Sequence, residues 1–440
     1  METTARPRRW RDRLPSRLSV RMLMLLVLIV GGGLGWLANR ARTQRKAVEA
    51  VQAIGGTVRY DFEVSFDRPP PPGPAPVKKP EPPAPAWLRK LVGDELFQEV
   101  TVVRFPKPLA GPLPVALEAF GRLEQLDYID ESRGGDNLAL LGRLTTLRSV
   151  GPSGPGVTDA TLERLSKLPR LEQVSLSRIS ATDAGLAQLA RLPRLVWFSI
   201  NKTPGITDVG LGPVLRGRKD LESLTLFDAG VTDATTEAFR EMTGLKRLVI
   251  QGSTISDVGL ANIGRATSLD LLIISSASPA ITDAGFASLR DLTNLRTLEL
   301  PGRGTTESGL DAFEKMKMLG RLTIYEGVTD AGAAHLAKLS SLTRLSLIKC
   351  PDLGDAGLAH LAGLTSLMRL DLLGSRVTDA SLSNFNGMKA LQHIDLRGTR
   401  VTPGGQAALR VALPLLSITA GPIPARPPAP QPKGSGATAR

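Results

Sequence analysis

Residues 157–176 read Val-Thr-Asp-Ala-Thr-Leu-Glu-Arg-Leu-Ser-Lys-Leu-Pro-Arg-Leu-Glu-Gln-Val-Ser-Leu. Leu162, Leu165 and Leu168 fall three apart, which suits the buried stripe of a short helix, whereas the two-residue step from Val174 to Leu176 suits a strand with one face on a core. One helix and one strand are thus predicted in about two dozen residues. The unit repeats. Its aspartate returns as Asp159, Asp183, Asp208, Asp233, Asp257, Asp283, Asp330, Asp355 and Asp379, and Glu307 keeps the beat in the one gap. Such a period signals stacked supersecondary units, each too small to bury its own apolar face. The expected product is an α/β solenoid, whose function lies on a continuous surface more than in a pocket.

The strand half carries a Leu-x-x-Leu-x-Leu signature, as in Leu221, Leu224, Leu226 and again in Leu342, Leu345, Leu347. With the Ile281–Phe286 and Val377–Leu382 elements (Ile/Val-Thr-Asp-Ala-Gly-Leu with small variations), this resembles the leucine-rich-repeat family, cysteine-containing or ribonuclease-inhibitor-like class. The resemblance covers roughly 120–420 and implies parallel strands on a concave face and helices on the convex side. The Asp and Thr before each helical run are expected to act as N-caps, since they can accept bonds from first-turn amides. Cys350, the only cysteine, is expected to be a small buried residue at the end of its strand unit, and a single thiol forms no internal disulfide.

The N-terminus is different. From Met22 to Ala38 the chain runs without a charge, at the short end of the length that crosses a bilayer. A cleaved signal peptide is the rival reading, disfavoured by the absence of small residues suited to a cut near Trp36–Arg40. Basic residues are denser before this segment than after it, so the predicted orientation is N-terminus cytoplasmic, repeats outside. Residues 1–46 and the tail from Gly421 hold nearly all of the net charge of +13. The remainder is almost neutral, and binding to nucleic acid is not expected.

The expected organisation is a basic segment 1–21, a transmembrane helix 22–38, a small helix-strand element 39–67, a Pro-rich linker 68–86, a cap 87–120, the solenoid 121–420 and a disordered Pro-rich tail 421–440. In the small element Val48, Val51 and Ile54 follow helical spacing, Gly55 and Gly56 stop the helix, and Val58, Tyr60, Phe62, Val64 and Phe66 alternate as a strand. This order, with Trp-Leu-Arg and Leu-Phe-Gln-Glu-Val further on, is similar to the front end of many bacterial membrane-anchored leucine-rich-repeat proteins. Ten prolines between Pro69 and Pro85 predict an extended spacer holding the solenoid off the bilayer. Trp87, Leu91, Leu96, Phe97, Val100 and Val103 are expected to cover the first repeat.

Catalytic chemistry is not expected. His335 and His360 occupy equivalent places in adjacent repeats, but no third ligand converges on them, so neither metal nor cofactor is predicted. Side chains between and just beyond the buried leucines point into the hollow of the solenoid. Those best suited to a protein or peptide partner are Trp197, Phe227, Arg247, Val249, Ile273, Arg321, Tyr325, Arg344 and Arg369, with Trp197, Phe227, Val249 and Ile273 as an apolar strip and Arg321, Arg344 and Arg369 at one strand position. The function expected is a membrane-anchored, non-enzymatic binding or scaffold module. Its alternatives are a self-associating envelope protein and a substrate-selecting repeat domain of the ubiquitin-ligase type, the latter lacking a helical F-box-like segment.

Overall fold

The structure is a computed structural model and describes residues 20–63, 81–132, 139–275 and 281–423. The basic segment up to residue 19, most of the Pro-rich stretch and the tail from 424 lie outside the described residues. The chain divides into two compact units, Met1–Tyr128 and Ile129–Arg440.

The first unit is built on one helix, α1, Val20–Ala53. The apolar stretch and the helix of the helix-strand element were expected as separate pieces, yet a single unbroken helix runs through both. Its stretch from Met24 is long and apolar enough to cross a membrane by length and composition. Further on, Gln44, Ala47 and Val51 are buried. That stripe at i, i+3 and i+7 lies one turn before the predicted one, and Ile54, past the helix end, is half exposed. Gly55 ends the helix at φ 81°. Gly56 follows it so closely that an added Cβ would lie 2.5 Å from Val51 and 2.7 Å from Phe105.

Strand β1, Thr57–Tyr60, is shorter than predicted, with Phe62 in the turn after it and Val64 and Phe66 outside the described residues. Its partner is β2, Val100–Leu109, antiparallel, with Val58 opposite Val103. The chain therefore leaves and re-enters this hairpin at one place, where the Asp61 amide donates to the Glu99 carbonyl at 2.9 Å and the Glu99 amide to Asp61 Oδ1 at 3.1 Å. The Pro-rich stretch of the spacer reading itself lies mostly outside the described residues, and what the described chain on either side of it shows is that α1 and β2 are joined through β1. Val100, Val102, Val103 and Phe105 are buried, whereas Trp87 is 68% exposed and covers nothing.

Strand β3, Gln125–Asp130, spans the boundary between the units. In the second unit twelve strands run parallel in chain order: β4 Ser149–Ser153, β5 Gln173–Ser177, β6 Trp197–Asn201, β7 Ser223–Phe227, β8 Arg247–Gln251, β9 Leu271–Ser275, β10 Thr297–Pro301, β11 Arg321–Tyr325, β12 Arg344–Ile348, β13 Arg369–Asp371, β14 His393–Asp395 and β15 Ser417–Thr419. Alternate residues of most of these strands are buried, such as Leu224 and Leu226 or Leu345 and Leu347. A fully buried leucine contributes about 2 kcal/mol, so stacking supplies the stability.

The return segments are short, and several pass from α-helix into 3-10 geometry, as Asp183–Ala187 does into Gln188–Arg191. Leucines spaced by three explain this, because a 3-10 helix has three residues per turn and keeps Leu186, Leu189 and Leu192 on one side. Arg218 closes one return. Its guanidinium donates to the carbonyls of Leu189, Ala190, Leu192 and Val214, filling acceptors that a helix end leaves open.

Capping follows a division of labour. Thr207 is the N-cap, its Oγ1 accepting from the Val209 amide at 3.2 Å, while Asp208 is the first helical residue. The aspartates reach sideways: Asp183 accepts from Thr207 of the next repeat, as Asp257 does from Thr282 and Asp379 from Thr402. The expectation of capping aspartates is corrected accordingly, because a side chain at the first helical position is better placed for a lateral neighbour than for its own helix's amides. Cys350 is fully buried, and burial pushes its thiol up to about 11, which keeps it protonated and inert.

Candidate partner-binding face

Parallel pairing without slippage turns the repeat into rows. Residues at one strand position lie side by side on neighbouring strands, about 4.8 Å apart. The first outward row runs Gln173, Trp197, Ser223, Arg247, Leu271, Thr297, Arg321, Arg344, Arg369 and His393. Two residues along, the second row includes Ser199, Thr225, Val249, Ile273, Glu299, Thr323, Ser346, Asp371 and Asp395. The third holds Asn201, Phe227, Gln251 and Ser275 and, further on, Pro301, Tyr325 and Ile348.

All nine candidate residues occupy outward positions, and none is fully buried. They do not form one patch. Arg321, Arg344 and Arg369 are consecutive in the first row, but Arg247 stands apart from them behind Leu271 and Thr297. Val249 and Ile273 are neighbours in the second row, with Phe227 on the diagonal to Val249. Trp197 sits four residues from the level of Phe227, about 13 Å along the strand, so the single apolar strip is corrected to a three-residue cluster and a lone tryptophan. Tyr325 lies four strands from Phe227.

Hydrogen bonds separate engaged side chains from free ones. Tyr325 Oη donates to Glu299 Oε1 at 2.8 Å, and burial together with that bond pushes the phenol up to about 12. Arg369 is held through Nε, 3.0 Å from both oxygens of Asp371, and Ser346 Oγ donates to the same carboxylate at 2.7 Å. Arg397 and Asp395 pair at 2.5 Å. Burial raises the Asp395 carboxyl, but the bonds from Arg397 outweigh it and hold the group below its ordinary value. Among the described residues, Arg321 and Arg344 are exposed and have no ion-pair partner.

Two outward residues escaped the sequence reading, Leu271 beside Arg247 and Ile348 beside Tyr325. An aliphatic residue on a strand reads as core unless its place in the alternation is counted, and that count would have found both. His335 and His360 do not converge: His335 Nδ1 lies 2.8 Å from Glu314 Oε1, and that carboxylate also accepts from Lys338. Among the described residues no group of three His, Cys, Asp or Glu side chains is placed to hold a metal ion.

The structure is similar to that of an internalin from Listeria monocytogenes, with 16% sequence identity, 74% of this chain and 87% of that chain covered, and a TM-score of 0.51. A leucine-rich-repeat protein from Leptospira interrogans matches 70% of this chain and 92% of its own at 16% identity and a TM-score of 0.44. No protein-family model and no curated protein sequence matches the chain.

Proposed function

The chain has the leucine-rich-repeat fold, and from that premise we propose that it is a non-enzymatic binding module, carried on α1 as a membrane anchor and holding a protein or peptide on the open face of its sheet. The supporting observation is the composition of the outward rows. Where a solvated sheet face needs only Ser, Thr and Gln, β6 to β9 present Trp197, Phe227, Val249, Leu271 and Ile273, and β11 to β13 present Arg321, Arg344 and Arg369. Aromatic residues and arginine dominate the energetics of protein interfaces. Between them the face carries small polar residues such as Ser223, Thr225, Thr297 and Thr323, which leaves room for a ligand to lie against the larger ones. Charge placement supports the anchor: seven arginines precede the apolar stretch, and the positive-inside rule then puts the repeats outside the cytoplasmic membrane.

Photocrosslinking in intact cells tests the binding face. A photoreactive residue at Trp197 or Arg344 is expected to trap a partner, and one at Val258, 62% exposed on a helical return, is not. Adducts from Val258 alone, or from none of the three, would remove the sheet face from consideration. Extraction of membranes at alkaline pH tests the anchor, since an uncleaved spanning helix keeps the chain in the pellet.

A further inference from the structure

We propose that the ligand of this face is an acidic protein segment, and that Arg321, Arg344 and Arg369 form the site for its carboxylates; this rests on the sheet-face reading above. The three guanidinium-bearing residues lie in one register row on consecutive strands β11, β12 and β13, spanning about 10 Å. Some arginines are paired with carboxylates, Arg303 with Glu326 at 2.8 Å, Arg376 with Asp352 at 3.0 Å and Arg397 with Asp395 at 2.5 Å, while others, such as Arg247 and Arg296, are exposed without an ion pair among the described residues. Arg321 and Arg344, side by side and exposed, receive none among the described residues. Arg369 is oriented by Asp371 through Nε only, and its two terminal nitrogens have no partner among the described residues. A planar guanidinium presents a fork of donors that matches a carboxylate.

The neighbouring rows narrow the ligand further. Glu299, Asp371 and Asp395 occupy the second row, about 7 Å along the strands from the arginine row. A polyanion such as a nucleic acid or sulfated glycan would lie across both rows and meet Glu299 and Asp371, while Asp395 is 3% exposed and held by Arg397. A peptide with two acidic side chains and apolar residues between them meets only the arginines. It also finds Met368, 41% exposed, next to Arg369, and Ile348, half buried, about 13 Å further along β12. In an extended segment, carboxylates two residues apart sit about 7 Å from each other, within reach of two of the three guanidinium groups.

The test uses the full chain in detergent micelles and a random peptide display library, with the selected peptides then measured on Arg321→Gln/Arg344→Gln, on Val249→Asp and on the unsubstituted protein. We expect enriched peptides to carry at least two acidic residues and to weaken about tenfold or more in the arginine variant and at raised salt. Both arginines are exposed, so an unchanged thermal transition is expected to show that the variant folds. Neutral consensus peptides that bind equally to the arginine variant but are lost on Val249→Asp would overturn the acidic ligand and leave the sheet face standing. Failure to enrich any peptide, or binding indifferent to all three substitutions, would overturn both. Binding of heparin or single-stranded DNA as tight as that of the best peptide, and lost in the arginine variant, would replace the proposal with a polyanion site.

Discussion

The carboxylate of Asp183 accepts two bonds from Thr207, one repeat further on: the backbone amide at 2.7 Å and the hydroxyl at 2.6 Å. The same clasp joins Asp159 to Thr182, Asp233 to Ser256, Asp283 to Thr306 and Asp355 to Thr378. Each of these aspartates therefore ties its helical return to the next, and the hydroxyl it receives belongs to the residue at the N-cap position of the following helix; Asp330 makes its link through the Gly354 and Gly357 amides alone. Asp183→Ala removes both bonds at one junction, and bonds to a charged acceptor are worth more than neutral ones. We expect a loss of about 2 kcal/mol in urea unfolding. Hydrogen exchange should rise first in the helices Asp183–Ala187 and Asp208–Leu215, since a solenoid's stability is a sum over neighbouring contacts. Exchange that rises uniformly over the unit would contradict the clasp.

The clasps are also titratable. Burial raises the Asp208, Asp283 and Asp355 carboxyls, but the hydroxyl and amide bonds they accept outweigh burial and leave all three below the ordinary aspartate value. A depressed folded-state value means that the stability is present above the unfolded value of about 4 and is lost as pH falls through the folded one. Asp283→Asn should therefore be less stable than the unsubstituted chain at pH 7, with the gap narrowing toward pH 3. Paired urea titrations at the two pH values measure it, and a gap independent of pH would show that charge has no part in the clasp.

Glu307 marks the missing link in the series. It keeps the helical position of the aspartates, but among the described residues no bond joins it to Thr329, whose hydroxyl accepts from the Gly332 amide at 3.1 Å. One added methylene carries the carboxylate past the point where the next threonine waits. Glu307→Asp restores the geometry found at Asp283, and a rise of about 1 kcal/mol in stability is expected. A lowered melting temperature would show that the junction there is set by something other than side-chain length.

The period and the alternation of buried residues were legible because each repeat states them again, and a reading of residues 157–176 carries to residue 400. The placement of Arg321, Arg344 and Arg369 in one row followed from the same count. What escaped were relationships set by partners distant in sequence. The lateral reach of Asp183 depends on a threonine 24 residues away, the pairing of Val58 with Val103 crosses a Pro-rich segment, and the half-buried guanidinium of Arg218 answers carbonyls of the preceding repeat. The glycine in Asp-Ala-Gly-Leu became intelligible only in space. At Gly285 an added Cβ would lie 2.3 Å from Asp257 Oδ1, so the glycine leaves room for the previous repeat's clasp.

The hairpin of β1 and β2 makes the Pro-rich segment dispensable to the fold. The chain before that segment and the chain after it, past the helix Ala86–Val92, meet at the pair formed by Asp61 and Glu99, so the segment's length is expected to enter stability through the entropy of closing a loop, which grows slowly with length. Replacing residues 68–80 with six Gly and Ser residues is expected to shift the unfolding free energy by only about 0.2 kcal/mol. Gly56→Ala at the hairpin's entry should cost about 1–3 kcal/mol, because the new methyl group would lie 2.5 Å from the Val51 side chain, 2.7 Å from Phe105 and 2.8 Å from the Val51 carbonyl, and the last belongs to helix backbone. Urea unfolding of the two variants side by side decides the matter. A large loss from the shortened loop, with little from Gly56→Ala, would show that the Pro-rich segment bears load and that the paired base does not.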